Sequence, residues 1–374
     1  MALTVCFSAN TLGYPTGGGH LWVYLNWALG LRTLGCEVIW LERIAQSRPD
    51  SLGGRVAELK SRLAPYGFAD RLALCHAPGV SVPGEVAKEC LDLDAATEAD
   101  LLLNFRYGEP PEVVGRFRRS ALIDIDPGLL QIWMQEGWIR PAAYDAYFTT
   151  GETVGQPGAR FPDLGIEWQY TPPCVSLDWW PQSVAPEGAA FTTVAHWYGE
   201  VMGSGADSFR NAKREAFMNV LDLPRRTEQP LELALDLVAG DPERRLLCEA
   251  GWRLRPSAVV AGTPWEYQRY VQGSRGEFSC AKPSCIRLQN AWISDRTLCY
   301  LACGRPAVVE HTGPSRILPD GAGLFRFRGG EDAARCLEAV ASDYERHCRL
   351  ARSLAEELFD ARRAAESVLE RTLG

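Results

Sequence analysis

Residues 3–41, LTVCFSANTLGYPTGGGHLWVYLNWALGLRTLGCEVIWL, decide the fold prediction for this chain. The short apolar run Leu3–Ser8 ends in a glycine-rich loop, which is typical of a buried strand. Apolar residues then recur at helical spacing over His20–Leu34, and Gly35 stands where a helix end is expected. Glu37–Leu41 is mostly apolar and predicts the next strand. This order of elements predicts a right-handed βαβ unit, the beginning of a doubly wound parallel sheet.

The same alternation of strands and helices continues along the chain. In the first half, further strands are predicted at Leu72–Leu74, Asp100–Asn104, Ala121–Ile125 and Ala146–Thr150. In the second half a strand is predicted at Ala190–Ala195, and Gly276–Phe278 and Ala307–Val309 lie near later strand ends. Helices are predicted at Lys213–Val220, Glu331–Val340 and Asp343–Leu373. Leu231–Leu237 is compatible with a strand or a helix. Tyr170–Pro181 is rich in proline and tryptophan and is expected to connect two domains. The sequence therefore predicts an α/β protein with two Rossmann-like domains.

Length and composition agree with this division. The chain has 374 residues, which is more than one ordinary domain of ~100–200 residues. Its formal net charge of −8 argues against nucleic acid as the main partner, because a phosphate backbone binds basic surfaces. The N-terminus lacks the features of a signal peptide, and no run reaches the ~18 apolar residues that span a bilayer. We therefore expect a cytoplasmic protein without a transmembrane segment.

Cysteine spacing gives no sign of a metal site. The twelve cysteines form no CxxC pair, and the nearby histidines do not complete a zinc spacing. Most of the cysteines stand in apolar runs, where a thiol behaves as a small hydrophobic side chain. We expect reduced thiols and no bound metal.

A glycine loop separates the first predicted strand from the first predicted helix. Gly17, Gly18 and Gly19 would let a ligand approach the backbone there, and the helix N-terminus favours polar oxygens. The loop does not follow GxGxxG, so a dinucleotide site is poorly supported. His20 stands where it can act as a general base, and Asp126 or Asp124 could orient its imidazole. The alternative for Asp126 is a residue that only starts the turn before Pro127. The alternative for His20 is a residue that only caps its own helix.

A second group of polar residues lies in the last third of the chain. The stretch Arg275–Lys282 combines acidic and basic side chains, and Ser294–Val309 begins as a polar helix start and continues into an apolar helix. Such a site can offer a carboxylate to ribose hydroxyls and cations to a diphosphate. A surface cluster of ion pairs is the alternative.

The segment Ser294–Val309, together with Glu310–Gly313, resembles the donor-binding segment of GT-B nucleotide-sugar glycosyltransferases. The C-terminal half is similar to the common retaining family, which carries an alanine-cysteine-glycine-x-proline-valine-valine run at this point. Leu318–Phe325 resembles the family's tail, and the opening over Gly17–Val38 resembles its acceptor side. The resemblance implies two Rossmann-like domains facing across a cleft. The acceptor domain would be residues 1–180 and the donor domain 181–374, with the last helix, about 343–374, packing back on the first domain.

By this resemblance, most of the predicted donor contacts come from the second domain. The implied donor-binding residues are His196, Lys213, Arg214, Glu277, Lys282, Ser294, Asp295, Arg296, Thr312 and Gly313. On the acceptor side the prediction names the three loop glycines and Trp197, whose ring could stack on a flat acceptor or a sugar. For the aromatic residues near Trp197, an ordinary place in the core is the alternative.

The sequence departs from the retaining family at Cys299. The family's second donor glutamate would fall at this position, so the ribose contact is left to another carboxylate, for which Asp295 is the predicted substitute. His20 fits the base of an inverting enzyme, whereas the C-terminal half is closer to retaining enzymes. The stereochemical outcome is left open.

The predicted function is transfer of a hexosyl or deoxyhexosyl group from a nucleotide diphosphate sugar to an acceptor. UDP or dTDP is the expected nucleotide of this co-substrate, and no cofactor or metal is expected. The acceptor is expected to be a small molecule such as a natural product, and the oligomeric state is left open, a homodimer included. Two alternatives are a GT-B sugar-nucleotide epimerase or hydrolase and a non-catalytic nucleotide-sugar-binding protein, which Cys299 favours.

Overall fold

The computed structural model describes residues 2–14, 17–44, 49–76, 82–199, 201–202 and 209–374, without the side chains of 49 and 50. Pro15 and Thr16, in the predicted glycine loop, lie outside the described residues. The chain forms two compact units. The first contains Met1–Gly155, Phe161–Pro172 and Ala361–Gly374, and the second Gln156–Arg160 and Pro173–Asp360.

The first unit is built on a parallel sheet. Its strands are β1 (Thr4–Ala9), β2 (Glu37–Ile44), β3 (Leu72–His76), β4 (Leu101–Asn104), β5 (Ser120–Asp124), β6 (Ala146–Thr149) and β7 (Trp168–Tyr170). Its helices before the second unit are α1 (Gly18–Thr33), α2 (Pro49–Leu63), α3 (Gly84–Lys88), α4 (Leu93–Thr97), α5 (Pro111–Val114) and α6 (Leu129–Gln135). The strand order β3-β2-β1-β4-β5-β6-β7 reverses direction between β1 and β4, as in a doubly wound sheet. The predicted βαβ unit is confirmed.

The second unit repeats this plan. Its strands are β8 (Phe191–Ala195), β9 (Val201–Met202), β10 (Phe209–Arg210), β11 (Leu231–Leu235), β12 (Arg253–Pro256), β13 (Gly276–Ser279), β14 (Ala307–Glu310) and β15 (Leu324–Phe327). Its helices are α7 (Lys213–Met218), α8 (Pro242–Ala250), α9 (Ser257–Val260), α10 (Pro264–Gln272), α11 (Pro283–Leu288), α12 (Asp295–Ala302), α13 (Gly330–Ser342) and α14 (Tyr344–Leu358). The parallel order β12-β11-β8-β13-β14-β15 reverses between β8 and β13, while β9 and β10 form a separate antiparallel pair.

The apolar strands explain why each sheet lies inside its unit. In β8, β11 and β13, the core residues Phe191, Leu233 and Phe278 are almost completely buried. Helices cover both faces of such a parallel sheet, so its strands are apolar on both sides. The segment Leu231–Leu237, which was compatible with either element, is a strand because it pairs with β8 on one side and β12 on the other.

The C-terminal segment differs from its prediction. The sequence predicted one helix over Asp343–Leu373, but α14 ends at Leu358 and α15 spans Ala361–Leu373. The break coincides with the passage of the chain between units, because Asp360 ends the second unit and Ala361 belongs to the first. After the short excursion of Gln156–Arg160, the chain enters the second unit at Pro172–Pro173, whereas the boundary predicted from sequence was residue 180.

Helix α15 packs on α1 within the first unit. Gly30 of α1 lies so close to Ala361 that a Cβ atom at Gly30 would overlap the Ala361 backbone. The last helix therefore completes the core of the unit in which the chain began. Within the described part of the chain, no helix is both long and apolar enough to cross a membrane.

Candidate donor site in the second unit

A pocket lies at the carboxyl edge of the second sheet. Ligands of open α/β sheets bind at this edge, where the strand order reverses. The pocket is lined by Lys213, Ser279, Cys280, Ala281, Trp292, Ile293, Ser294, Arg296, Thr297, Val309, Glu310 and Thr312. The ends of β13 and β14 and the beginnings of α7 and α12 thus supply its polar side chains.

Two cationic side chains converge on one hydroxyl in this pocket. Lys213 donates from Nζ to Ser279 Oγ at 3.1 Å, and Arg296 donates from Nη2 to the same oxygen at 2.7 Å. Ser279 is the last residue of β13, and Arg296 lies in the first turn of α12, which Ser294 caps by accepting the Arg296 amide at 3.3 Å. The local sequence thereby fixes both cations at the strand end.

Arg296 also joins the two strands at which the sheet order reverses. Its Nη1 donates to the Val194 carbonyl of β8 at 3.0 Å, and its Nε donates to Glu277 of β13 at 2.7 Å. Glu277 is 0% exposed, and its Oε2 has no hydrogen-bond partner among the described residues. Burial alone would lower the pKa of the Arg296 guanidinium, but the Glu277 carboxylate holds that pKa above its ordinary value.

The pKa of Lys213 is lower than that of an ordinary lysine. Burial, which has the largest effect, and the nearby Arg296 charge together lower the pKa of its ammonium group to about 7. The side chain is therefore a buried amine close to half-protonation at neutral pH. An anion beside it would favour the charged form.

Glu310 lines the same pocket and was not among the predicted site residues. It ends β14, and its Oε2 accepts the Ala281 amide at 2.9 Å. Burial raises the pKa of this carboxyl group, against the opposing effects of that hydrogen bond and of Lys213. Its position at a predicted strand end, immediately before His311, was the available sequence signal. Ser279 was missed as well, although it ends the neighbouring strand.

Thr312 and Gly313 follow β14, as predicted for the donor side. Thr312 lines the pocket and donates from Oγ1 to the Trp292 carbonyl at 2.6 Å. Gly313 has φ +135°, and a Cβ atom there would lie 2.6 Å from the Gln289 carbonyl oxygen. Glycine is required at this position by the close approach of the backbone, and Gly313 itself lies outside the pocket lining.

Five other predicted donor residues lie outside the pocket lining, among them Arg214, Lys282 and Asp295. Arg214 donates from Nε to Glu243 at 2.8 Å, so its charge is already paired. Lys282 is exposed at the start of α11 and affects the pocket through its charge, which contributes to lowering the Lys213 pKa. Asp295 begins α12 beside Arg296, and its charge adds to the effect of burial in raising the pKa of the Cys174 thiol.

His196 and Trp197 follow β8 but have different surroundings. His196 has a side chain 65% exposed, and its Nδ1 lies 3.1 Å from Asp236 Oδ2. Trp197 is 0% exposed and donates from Nε1 to Glu243, with its ring 6.1 Å from that of Phe217. The predicted stacking of Trp197 on an acceptor is contradicted by this placement, because the indole is part of the core.

The first unit contains both predicted catalytic residues, His20 and Asp126. His20 is partly exposed at the start of α1, and its Nε2 lies 2.8 Å from the Asn10 carbonyl oxygen. Asp126 accepts from the Tyr107 hydroxyl at 3.1 Å. The predicted pairing of Asp126 with His20 is corrected here, since the imidazole is held by a main-chain carbonyl. Asp124, two residues earlier, is fully buried and accepts from Gln131 at 2.9 Å.

The glycines beside His20 have distinct roles. A Cβ atom at Gly17 would overlap the ring of the exposed Tyr14, so a larger residue there would require that ring to move. Gly18 and Gly19 form the first turn of α1 together with His20. Among the described residues, no group of three or more His, Cys, Asp or Glu side chains is arranged to hold a metal ion.

Comparisons with known proteins identify the fold. No protein-family model and no curated protein sequence matches the chain. Anabaena HepE in complex with UDP and glucose is 11% identical, with 99% of each chain covered and a TM-score of 0.58. An alpha-glucosyltransferase in complex with UDP and a 13-mer DNA containing a HMU base is 10% identical, with both chains fully covered and a TM-score of 0.60. A glycosyltransferase from Rickettsia africae ESF-5 is 11% identical over 99% of this chain and 97% of its own, with a TM-score of 0.55.

These similarities extend over nearly the whole length of each chain. They agree with two parallel sheets that each have the doubly wound strand order. The chain therefore has the GT-B fold of nucleotide-sugar glycosyltransferases.

Proposed function

We propose that this protein transfers a sugar from a nucleotide diphosphate sugar to an acceptor and that the pocket of the second unit binds the donor. The observation that carries the proposal is the pair of cationic side chains, Lys213 and Arg296, held on Ser279 in a pocket at the switch point of the sheet. Structural neighbours with the same fold contain UDP or UDP-glucose, which makes UDP the first nucleotide to test.

The diphosphate is the part of the donor that fits this pair. Arg296 donates from Nε to Glu277 and from Nη2 to Ser279. In the absence of a bound anionic ligand, Lys213 is partly deprotonated near neutral pH. A diphosphate would supply the negative charge that favours protonated Lys213. The N-terminus of α12 adds its partial positive charge at the same edge, because Ser294, Arg296 and Thr297 line the pocket.

Glu310 takes the role that the sequence assigned to Asp295. Its carboxylate would repel a diphosphate, so we assign it to the hydroxyl groups of the donor, which donate hydrogen bonds to carboxylates. One oxygen already accepts from Ala281, which orients the group within the pocket. The negative side chain and the cation pair would thereby hold different parts of one donor.

The chemistry proposed for this pocket is electrostatic. As the bond between the sugar and the diphosphate breaks, negative charge develops on the leaving phosphate. Preorganised cations stabilise that charge, and one such group commonly contributes ~10²–10³ in rate. We propose that Lys213 and Arg296 perform this work without a metal ion. Donor binding should then persist in excess EDTA.

The first unit is proposed to bind the acceptor, with His20 as the general base that takes its hydroxyl proton. The partly exposed imidazole lies at the carboxyl edge of the first sheet, beside the glycines that open α1. A small-molecule acceptor remains the expectation from sequence. Transfer can be separated from hydrolysis or epimerisation by incubating donor alone and measuring free sugar and epimer.

Donor binding is tested by titrating the protein with UDP-, dTDP-, GDP- and ADP-sugars in a thermal-shift assay. A ligand at 100 times its Kd should stabilise the protein by ~2.7 kcal/mol. Arg296→Gln should remove the shift, whereas Arg245→Gln should leave it intact. Arg245 is the matched control, since it loses the same charge in the same unit from a side chain 85% exposed. If none of these sugars or UDP changes the melting temperature, the donor assignment is wrong.

A further inference from the structure

The contact between His20 and Asn10 determines which ring nitrogen of His20 can act as a base. The Asn10 carbonyl oxygen has no hydrogen, so it can only accept, and His20 Nε2 at 2.8 Å must be the protonated nitrogen. A neutral imidazole has one N–H group and one acceptor nitrogen. Nδ1 is therefore the atom with the lone pair that can receive a proton.

Asn10 is itself fixed across the point where the first sheet reverses its strand order. It follows β1, and its Oδ1 accepts from Arg106 Nη1 at 2.8 Å. Arg106 follows β4, the neighbour of β1, and its amide donates to Asn104 Oδ1 at 2.9 Å. The Arg106 side chain thus links the loop after β4 to the residue whose carbonyl holds His20.

Arg106 is supported by a buried carboxylate. Glu109 is 1% exposed, and its Oε1 lies 3.7 Å from Arg106 Nε and 3.2 Å from Ser8 Oγ. The turn that carries Glu109 is held by Arg43, which donates from Nη1 to the Gly108 carbonyl at 2.6 Å. Moving the buried Glu109 carboxylate would leave it without Arg106 and Ser8, and breaking such a buried pair is costly, so Glu109 should hold Arg106 in place.

We propose that Asn10 and Arg106, backed by Glu109, are positioning residues that hold His20 with Nε2 protonated, so that Nδ1 is the proton-accepting atom. The role of Nδ1 as a catalytic base rests on the proposed function, whereas the tautomer of His20 does not. In that step the acceptor O–H bond breaks and its proton moves to Nδ1, while the oxygen forms a bond to the anomeric carbon. The bond from that carbon to the diphosphate breaks, and its electron pair leaves with the phosphate. Arg106 and Glu109 do not contact the imidazole; they act on His20 through the main-chain carbonyl of Asn10.

Nitrogen-15 NMR of the histidine-labelled chain of residues 1–374 tests the assignment without an acceptor. Long-range proton–nitrogen spectra at a pH where the rings are neutral distinguish the two tautomers. His20→Gln identifies the His20 signals. His196 is an internal reference, because its Nδ1 donates to Asp236 and it should show the opposite tautomer. The expected result is the Nε2–H form at His20, favoured about fivefold by its hydrogen bond to the Asn10 main-chain carbonyl, as expected for a bond of ~1 kcal/mol. Asn10→Ala keeps that carbonyl and removes the Oδ1 that accepts from Arg106, so part of this preference should be lost.

Variants separate positioning from general folding. Arg106→Gln and Asn10→Ala should each reduce the tautomer preference, the double variant should reduce it no further, and Arg106→Lys should restore part of it. Arg118→Gln is the matched control, since it removes the same charge from the first unit at a side chain 79% exposed. An Nδ1–H tautomer at His20 in the unmodified protein, or a preference unchanged in Asn10→Ala, would overturn the proposal. If Arg106→Gln does not fold, the tautomer ratio of His20 in Asn10→Ala still tests the proposal, because Asn10 is exposed. UDP titration of the same samples tests the donor assignment separately, because its residues belong to the second unit.

Discussion

At the scale of single residues, Lys213 links donor binding to pH. Burial and the nearby Arg296 charge together lower the pKa of its ammonium group to about 7, so the free protein loses this proton as pH rises through neutrality. A bound diphosphate favours the charged form and raises that pKa. Binding of UDP should therefore take up a proton, and affinity should fall by up to about tenfold per pH unit above pH 7, since one proton is involved.

Calorimetry in buffers with different ionisation enthalpies measures this proton uptake. Lys213→Met should remove it and make the UDP affinity nearly independent of pH between 7 and 9. Lys88→Met is the control, because Lys88 is exposed in the first unit. Equal affinity of the unmodified protein at pH 7 and pH 9 would exclude a role for Lys213 in holding the diphosphate.

Glu310 allows a test with opposite signs for two ligands. Glu310→Gln removes a negative charge near the cation pair and also removes a strong acceptor for donor hydroxyls. UDP-glucose should bind about tenfold or more weakly, in keeping with ~1.5–3 kcal/mol for a charged hydrogen bond. Inorganic pyrophosphate has no hydroxyl groups of a sugar and should bind as well or better. Asp320→Asn, which removes an acidic charge elsewhere in the second unit, serves as the control. Parallel weakening of both ligands would contradict the assignment of Glu310 to hydroxyl groups.

The sequence predicted Lys213 and Arg296 from the resemblance and from their positions at helix starts, and the structure brings both side chains to Ser279. The sequence could not identify Glu310 or the partner of His20, since both depend on which strand ends are neighbours in the folded sheet. Glu310 is near Ala281 through the pairing of β13 with β14, and Asn10 is near Arg106 through the pairing of β1 with β4. Asp126 was a plausible partner for His20 by residue type, but in the fold its carboxylate accepts a hydrogen bond from the Tyr107 hydroxyl.

At the scale of secondary-structure elements, the contact of α1 with α15 can be tested at Gly30. Gly30→Ala improves helix propensity by ~1 kcal/mol but places a Cβ atom against the Ala361 backbone. Overpacking of this kind costs ~1–3 kcal/mol, so the net effect should be destabilising. Gly54→Ala in α2 is the matched control, because no atom lies within 4 Å of the added Cβ. Urea denaturation should show a lower midpoint for the first variant and an unchanged or higher midpoint for the second.

Element prediction succeeded where a segment's own pattern was sufficient. The strand–loop–helix–strand order of residues 3–41 recurs as β1, α1 and β2, with ends shifted by a few positions. It failed at the C-terminus because α14 and α15 are both amphipathic and only two residues separate them. The periodicity continues across Phe359 and Asp360, so the break is set by the core into which each helix packs.

At the scale of the whole molecule, two similar halves were predictable from the repeated alternation of elements. The resemblance implied that a last helix of about 343–374 packs back on the first domain, and in the structure Ala361–Gly374 belongs to the first unit. Buried side chains of α15, among them Ala364, Ala365 and Val368, pack in the first unit. Local sequence gives these small apolar residues a buried face without saying which unit buries it.

Removal of Ala361–Gly374 should therefore loosen the first unit while leaving the donor pocket intact. The deletion exposes α1 and removes Arg371, which donates to Gln169 at 2.7 Å and lies over the Phe148 ring. Hydrogen exchange should accelerate in α1, β6 and β7, whereas α12 and β13 should remain protected and UDP should still bind. A shorter deletion of the exposed residues Leu373 and Gly374 should change neither region. If the longer deletion abolished UDP binding and protection in β13 while α1 stayed protected, α15 would contribute to the second unit, contrary to the division of the chain found here.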